Sequence, residues 1–229
     1  MKIPGFAKYG TDEVILISIG CIITGISISI LAEYLGIRLL YLVMIFPLVA
    51  WCIGLWFFRD PKRSIPDEPG ILVSPADGIV QDITELEDSY FPGGKARRLG
   101  IFMSPFNVHV NRFPCSGEVI GSEHYPGECL AAFHIAAAER NEKYIVTLRL
   151  DEGEEKEEIQ VRQITGALAR RIICRTESGN RVKRGEQYGM IKFGSRVEVF
   201  VKSDSLYQWS VGVGQKVVGG QTVIAIRKI

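Results

Sequence analysis

The run MIKFGSRVEVF, residues Met190 to Phe200, nearly alternates apolar and polar residues, as a β-strand does, yet holds Gly194 and Ser195 at its centre. These small residues are the least suited to a strand interior, and a bulge or a tight bend is their simplest structural reading. The chemical reading is nucleophilic. A serine hydroxyl held against the preceding carbonyl can attack its own backbone when the peptide is strained and a base is near. Glycine at the preceding position leaves that carbonyl unshielded and tolerates the distortion. Two further stretches carry suitable partners: VSPADGIV with Asp77, and MSPFNVHVNRFP with His109, Asn111 and Arg112. Strand alternation in NVHVNRF places Asn107, His109 and Asn111 on one face, with Val108, Val110 and Arg112 on the other. Serine, histidine and aspartate can serve as nucleophile, base and orienter, although almost any chain of this length contains all three. His124 and His134 lack such a context and read as structural.

The elements that must position these residues are short. ILVSP, GIVQDITEL, RRLGIFMS, NVHVNRF, GEVIGSEHY, KYIVTLRL, EIQVRQITG, RRIICRT, GMIKFGSRVEVFV and QTVIAIRKI are strand-like runs separated by turn residues. Such spacing indicates a mainly β barrel or sandwich. The acidic run DEGEEKEE between two of them reads as a solvated hairpin connection, and CLAAFHIAAAERNEK as one helix or an ordered loop. The closing stretch VGVGQKVVGGQTVIAI is similar to the half-barrels of lipoyl and biotinyl carrier domains, with ADGIV as the matching first half. This is a likeness of fold, not of function.

Ahead of the β region, Val14 to Ala32 is 19 residues without a charge, and Leu39 to Phe58 another 20. Each is long enough to cross a hydrocarbon core of about 30 Å as a helix. A transmembrane hairpin over residues 1–58 follows, with RDPKRSIPDEPG as the juxtamembrane linker, residues 59–70, and a domain over 71–229. Lys2, Lys8, Arg59, Lys62 and Arg63 flank the outer ends of the spans, which puts both ends, and the domain, on the cytoplasmic side of the cell membrane. The net charge of +1 and the lack of a long basic tract give no sign of a nucleic-acid partner. Cys21, Cys52, Cys115, Cys129 and Cys174 have no metal-ligand spacing and read as reduced thiols, with no disulfide framework and no metal site.

From FFRDPKRSIP to the C-terminus, the chain resembles the phosphatidylserine decarboxylases, in particular their short bacterial and archaeal proenzyme form. The resemblance rests on SPADG, IFMSPFNVHVNRFP, ARRI, GMIKFGSRVEVF and the closing glycine pattern, in that order. It implies a membrane-bound decarboxylase that turns phosphatidylserine, or an archaeal serine ether lipid, into the ethanolamine lipid and CO2. It also implies self-cleavage between Gly194 and Ser195 into a β chain, 1–194, and an α chain, 195–229. Ser195 attacks the Gly194 carbonyl, the ester eliminates to a dehydroalanine, and hydrolysis leaves a pyruvoyl group as the covalent cofactor. That group forms a Schiff base with the substrate amine and acts as the electron sink. The resemblance further gives His109 to proton transfer and Asp77 to maturation or orientation.

One departure matters. Longer bacterial relatives carry H-x-x-H before the proline, whereas this chain has His109 and then Arg112. Arginine stays protonated and cannot be a base. Either His109 serves both steps, or Asp77 acts on Ser195 more directly. Arg112 then suits a substrate carboxylate or phosphate, with Asn111 beside it. GGKARR, Gly93 to Arg98, reads as a second anionic-lipid contact or as an exposed basic turn. The implied partners are the serine phospholipid, the membrane and the two chains of the precursor, with a homo-oligomer compatible. The competing reading is a membrane-anchored lipoyl-like binding module without catalysis, in which the chain stays intact and Ser195 is indifferent. Its carrier form needs a lysine at a hairpin tip, and Lys216 sits instead in a Gly-rich repeat. A membrane-tethered serine protease has only the shared serine in its favour.

Overall fold

A computed structural model describes residues 5–88, 90–91, 94–128, 130, 137–151, 157–166, 171–192 and 195–228. The chain falls into two compact units, Met1–Lys62 and Arg63–Ile229. Gly194, Cys129, His134 and most of the acidic run lie outside the described residues.

In the first unit, α1 (Thr11–Leu35) takes up the first apolar run and stops at Gly36, whose φ of 66° is the left-handed cap that glycine favours. A 3-10 segment, Arg38–Met44, leads into α2 (Ile45–Phe57). Pro47 lies in the first turn of α2, where a missing N–H leaves no helical bond unmade. Between the helices, Trp51 Nε1 donates to Ser18 Oγ at 2.9 Å, and the Cys21 thiol to the Pro47 carbonyl at 3.4 Å. Leu16, Ile22, Ile26, Leu42, Phe46 and Ile53 stay exposed, so the pair is apolar on its outside. The helical stretches Lys8–Leu35 and Arg38–Phe57 are long and apolar enough to cross a membrane.

The second unit is mainly β. It begins with β1 (Ile71–Val73), β2 (Gly78–Glu87), β3 (Lys95–Met103) and β4 (Val110–Arg112). Then come β5 (Gly117–Tyr125), the short α3 (Ala137–Arg140), β6 (Lys143–Leu150), β7 (Glu158–Thr165) and β8 (Arg171–Cys174). The chain finishes with β9 (Arg181–Val182), β10 (Gln187–Lys192), β11 (Ser195–Lys202), β12 (Tyr207–Trp209), β13 (Lys216–Val217) and β14 (Val223–Arg227). Among the described residues, an antiparallel sheet of eight strands runs β13-β2-β3-β11-β7-β6-β5-β9, beside two three-stranded sheets, β1-β14-β12 and β4-β10-β8. The large sheet curls as a half-barrel, as the closing glycine pattern led one to expect. Register shifts at Val80/Asp82 and Val119/Gly121 add to the curl. Its inner face carries Leu99, Ile101, Leu148, Val161, Val197 and Val199, all buried, and alternate residues of each strand supply them.

Two local readings need correction. GMIKFGSRVEVFV is not one strand: β10 pairs with β4 and β8, whereas β11 pairs with β3 and β7 in the large sheet. The chain leaves one sheet by Lys192 and enters the other at Ser195. Nor is NVHVNRF a strand with one polar face. Only Val110–Arg112 is strand, and Val108, His109, Val110, Asn111 and Arg112 are all buried. The backbone of β4 is held by β10, and Arg112 N also donates to Pro75 O. Part of the segment read as a linker is tied to the β unit. Arg63 pairs with Asp77, and Arg184 donates to the carbonyls of Pro66 and Glu68.

Candidate active site

Ser195 opens β11, flanked in register by Met103 of β3 and Thr165 of β7. It is fully buried, and its hydroxyl donates to Met103 Sδ at 3.3 Å. Asn111 reaches the same sulfur with Nδ2 at 3.7 Å, and its Oδ1 accepts from Gln163 Nε2 at 2.7 Å. A thioether only accepts, so Asn111 must turn its NH2 to Met103 and its carbonyl to Gln163. The structure thus brings Asn111 to Ser195 through one shared sulfur. Gly189 makes the room: a Cβ there would stand 2.3 Å from Ile173 O and 2.8 Å from Gln163 Nε2.

Sequence reasoning did not single out Gln163. Its signal is there, because in EIQVRQIT the polar Gln163 falls on the phase of Ile159 and Val161, the face that packs inward.

His109 immediately precedes β4 and is fully buried. Its Nδ1 lies 2.9 Å from Asn107 O. A carbonyl only accepts, so Nδ1 carries the proton, and in the neutral ring Nε2 carries the lone pair. The His109 carbonyl accepts from Ile191 N at 3.4 Å, which laces it to β10 just upstream of Ser195.

Asp77 and Arg112 meet a different feature, the Gly219–Gly220 turn. Arg63 Nη2 lies 3.1 and 2.9 Å from the two Asp77 oxygens, and Gly219 N donates to Asp77 Oδ1 at 2.7 Å. Gly220 has φ of 76°, and a Cβ there would stand 3.0 Å from Arg112 Cδ. Arg112 Nη1 donates to Gly185 O at 2.9 Å. Both residues therefore pack on the same glycine pair. Arg63, one of the basic residues that follow the second span, is the ion-pair partner of Asp77.

Directly after Ser195 comes a buried ion network. Arg196 Nε donates to Glu198 Oε1 at 2.8 Å, its Nη2 pairs with Asp82 Oδ2 at 2.6 Å, and its Nη1 donates to Gln81 at 2.8 Å. Its guanidinium lies on Gly100, where a Cβ would stand 2.0 Å from Nη2. Burial works against the Arg196 charge, but Glu198 and Asp82 outweigh it and leave its pKa raised. Arg98 joins the network through Asp82 at 3.0 Å and Glu198 at 3.5 Å, while Arg97 donates to the carbonyls of Ser205 and Tyr207. These two are strand residues with internal partners, so neither the lipid contact nor the exposed turn read from GGKARR describes them.

Comparison with known proteins bears on this arrangement. A family model described as phosphatidylserine decarboxylase matches residues 53–225. A phosphatidylserine decarboxylase proenzyme of Symbiobacterium thermophilum is 45% identical over 170 residues, covering 74% of this chain and 77% of the relative. Proenzymes of the same name from Rhodopirellula baltica and Chlorobium chlorochromatii are each 38% identical. The first match covers 96% of this chain and 87% of that relative, the second 95% and 97%. The chain belongs to the phosphatidylserine decarboxylase family.

Proposed function

We propose that this protein is a membrane-anchored, self-processing decarboxylase of phosphatidylserine that releases CO2 and leaves the ethanolamine lipid. The observation that carries this reading is the placement of Ser195, buried at the head of β11 where the chain changes sheets. In maturation, Ser195 Oγ adds to the Gly194 carbonyl carbon, the peptide C–N bond breaks, and the freed nitrogen takes a proton. Loss of the Ser195 α-proton then expels Gly194 as a carboxylate, and water replaces the nitrogen as ammonia. The β chain ends at Gly194 and the α chain begins at residue 195.

Residue 195 suits a pyruvoyl group. Its backbone is held between Met103 and Thr165, its side chain is buried against the Met103 thioether, and the Asn111 and Gln163 amides follow on from that sulfur. When present, that group supplies a carbonyl that takes up the electron pair released with CO2. Met103, Asn111 and Gln163 would hold it. His109 Nε2 takes up and returns the proton. Arg112 attracts the headgroup carboxylate or phosphate. Asp77, kept close to Arg63 and Gly219 N, holds the Gly219–Gly220 turn against the SPADG loop and orients the site for maturation. Two-chain lipids stay in the bilayer, because exposing each methylene costs about 0.8 kcal/mol. α1 and α2 would anchor the protein there, with the β unit on the cytoplasmic side.

The test is CO2 release from phosphatidylserine in mixed micelles, with a serine ether lipid assayed in parallel. Release by the wild type and none by Ser195→Ala supports the reading. A wild type inert on both lipids overturns it.

A further inference from the structure

Gln163 has one amide atom in use and one that is not. Its Nε2 donates to Asn111 Oδ1, while Oε1 is buried and accepts no hydrogen bond from any described residue. Gln163 is fully buried, so this oxygen forfeits hydration and receives nothing for it from the described residues. Rotating the amide would not help. It would set Oε1 against Asn111 Oδ1, and turning Asn111 as well would leave Gln163 Nε2 as an orphan donor and take the NH2 away from Met103 sulfur. The arrangement that pairs the Ser195 hydroxyl and both amide NH2 groups is therefore the one that leaves Oε1 as the orphan acceptor.

Its position relative to residue 195 follows from the register. Ser195 pairs with Thr165 and Val197 with Gln163, so Ser195 and Gln163 sit diagonally on the inner face of adjacent strands. Diagonal neighbours of this kind lie about 7–8 Å apart at the backbone, within reach of a long side chain. A buried acceptor there recognises a donor. Of the three polar groups on a serine headgroup, the phosphate and the carboxylate only accept, and the amine alone donates at every hydrogen.

We propose that Gln163 Oε1 is the subsite for the substrate's amino group, holding it beside residue 195, with Asn111 and Met103 fixing the amide's direction. This rests on the proposed decarboxylase reading. It assigns specificity for an amine-bearing headgroup to a residue outside the histidine and aspartate motifs.

The experiment uses the processed, full-length protein and two short-chain competitors. One carries a phosphoethanolamine headgroup and the other a phosphopropanol headgroup, which lacks the amine. The quantity read is the ratio of their inhibition constants, compared between the wild type and Gln163→Met. Intact mass and CO2 release by the wild type are recorded first, so failure of the decarboxylase reading shows separately. A hydrogen bond to a charged donor corresponds to a preference of about tenfold to a hundredfold. The expected result is that Gln163→Met lowers the ratio by about that factor. An unchanged ratio in processed Gln163→Met overturns the proposal and leaves Gln163 a structural amide. Should Gln163→Met not yield a processed chain, Gln163→Glu decides, since it keeps an acceptor. The preference for the amine must then persist or rise, and its loss overturns the proposal.

Discussion

The Ser195 hydroxyl points at the sulfur of Met103, its cross-strand neighbour, at 3.3 Å. A thioether is a weak acceptor and takes no proton at neutral pH. Met103 therefore fixes the direction of the hydroxyl without activating it, and the base must be another group.

His109 is the candidate for that role, with its Nδ1 proton committed to Asn107 O and its Nε2 lone pair carrying the basicity. His109→Ala should slow self-cleavage, turnover or both by about a hundredfold or more. Time courses of chain cleavage and of CO2 release measure the two steps separately. Near-normal rates in both would leave His109 a packing residue.

Arg196 and Glu198 are both nearly inaccessible, at 4% and 2% exposure, so removing Glu198 leaves a buried guanidinium balanced by the part-exposed Asp82 alone among the described carboxylates. Glu198→Ala should cost up to about 3 kcal/mol of stability by chemical denaturation. The double replacement Arg196→Met with Glu198→Leu should cost clearly less, because no buried charge is left behind. A double variant weaker than Glu198→Ala would show that the pair itself, and not the stranded charge, sets the penalty.

Much of this architecture was legible in the sequence. Each of the ten strand-like runs contains a strand, because inward residues such as Val197, Val199 and Val201 alternate with polar or aromatic ones. The sheet change between Lys192 and Ser195 was not legible, since β10 and β11 are both strands and the periodicity barely falters between them. The polar face assigned to His109 and Asn111 failed for another reason. Alternation reports burial only where one face meets water, and β4 has neither face exposed. The partner of Asp77 was hidden because Arg63 sits in a charged, proline-rich stretch that reads as solvated linker. Gly100 and Gly189 likewise show their purpose only when Arg196 and Gln163 arrive from distant strands.

Burial pushes the Cys174 thiol from the ordinary 9.0 up to about 12. The folded chain keeps this proton at a pH where the unfolded chain releases it. The contribution to stability is complete below pH 9.0 and is lost as the pH climbs toward about 12. At about pH 8, alkylation of the native protein should therefore leave Cys174 unmodified, and denaturant should expose it. Peptide mapping that finds Cys174 labelled without denaturant would contradict this.

The apolar helices and the β unit are separate compact units, so their roles can be separated. Deleting residues 1–58 should leave self-cleavage intact, because that chemistry is internal to the β unit. Turnover of long-chain lipid in vesicles should fall far more than turnover of a short-chain, soluble analogue. Arg59 and Lys62 favour anionic headgroups by about 1 kcal/mol each, but they do not replace a helical anchor. Equal losses on both substrates would mean that the helices serve folding and do not present the site to the bilayer.

The central claim is that Ser195 becomes the reactive group by cutting its own chain, and intact mass spectrometry of the purified protein tests it directly. Two chains are expected from the wild type, ending at Gly194 and beginning at residue 195. The shorter should be lighter by one ammonia than Ser195–Ile229 with a free serine terminus, and Ser195→Ala should remain a single chain. A wild type that stays whole at 25.5 kDa and still releases CO2 from phosphatidylserine would contradict the account.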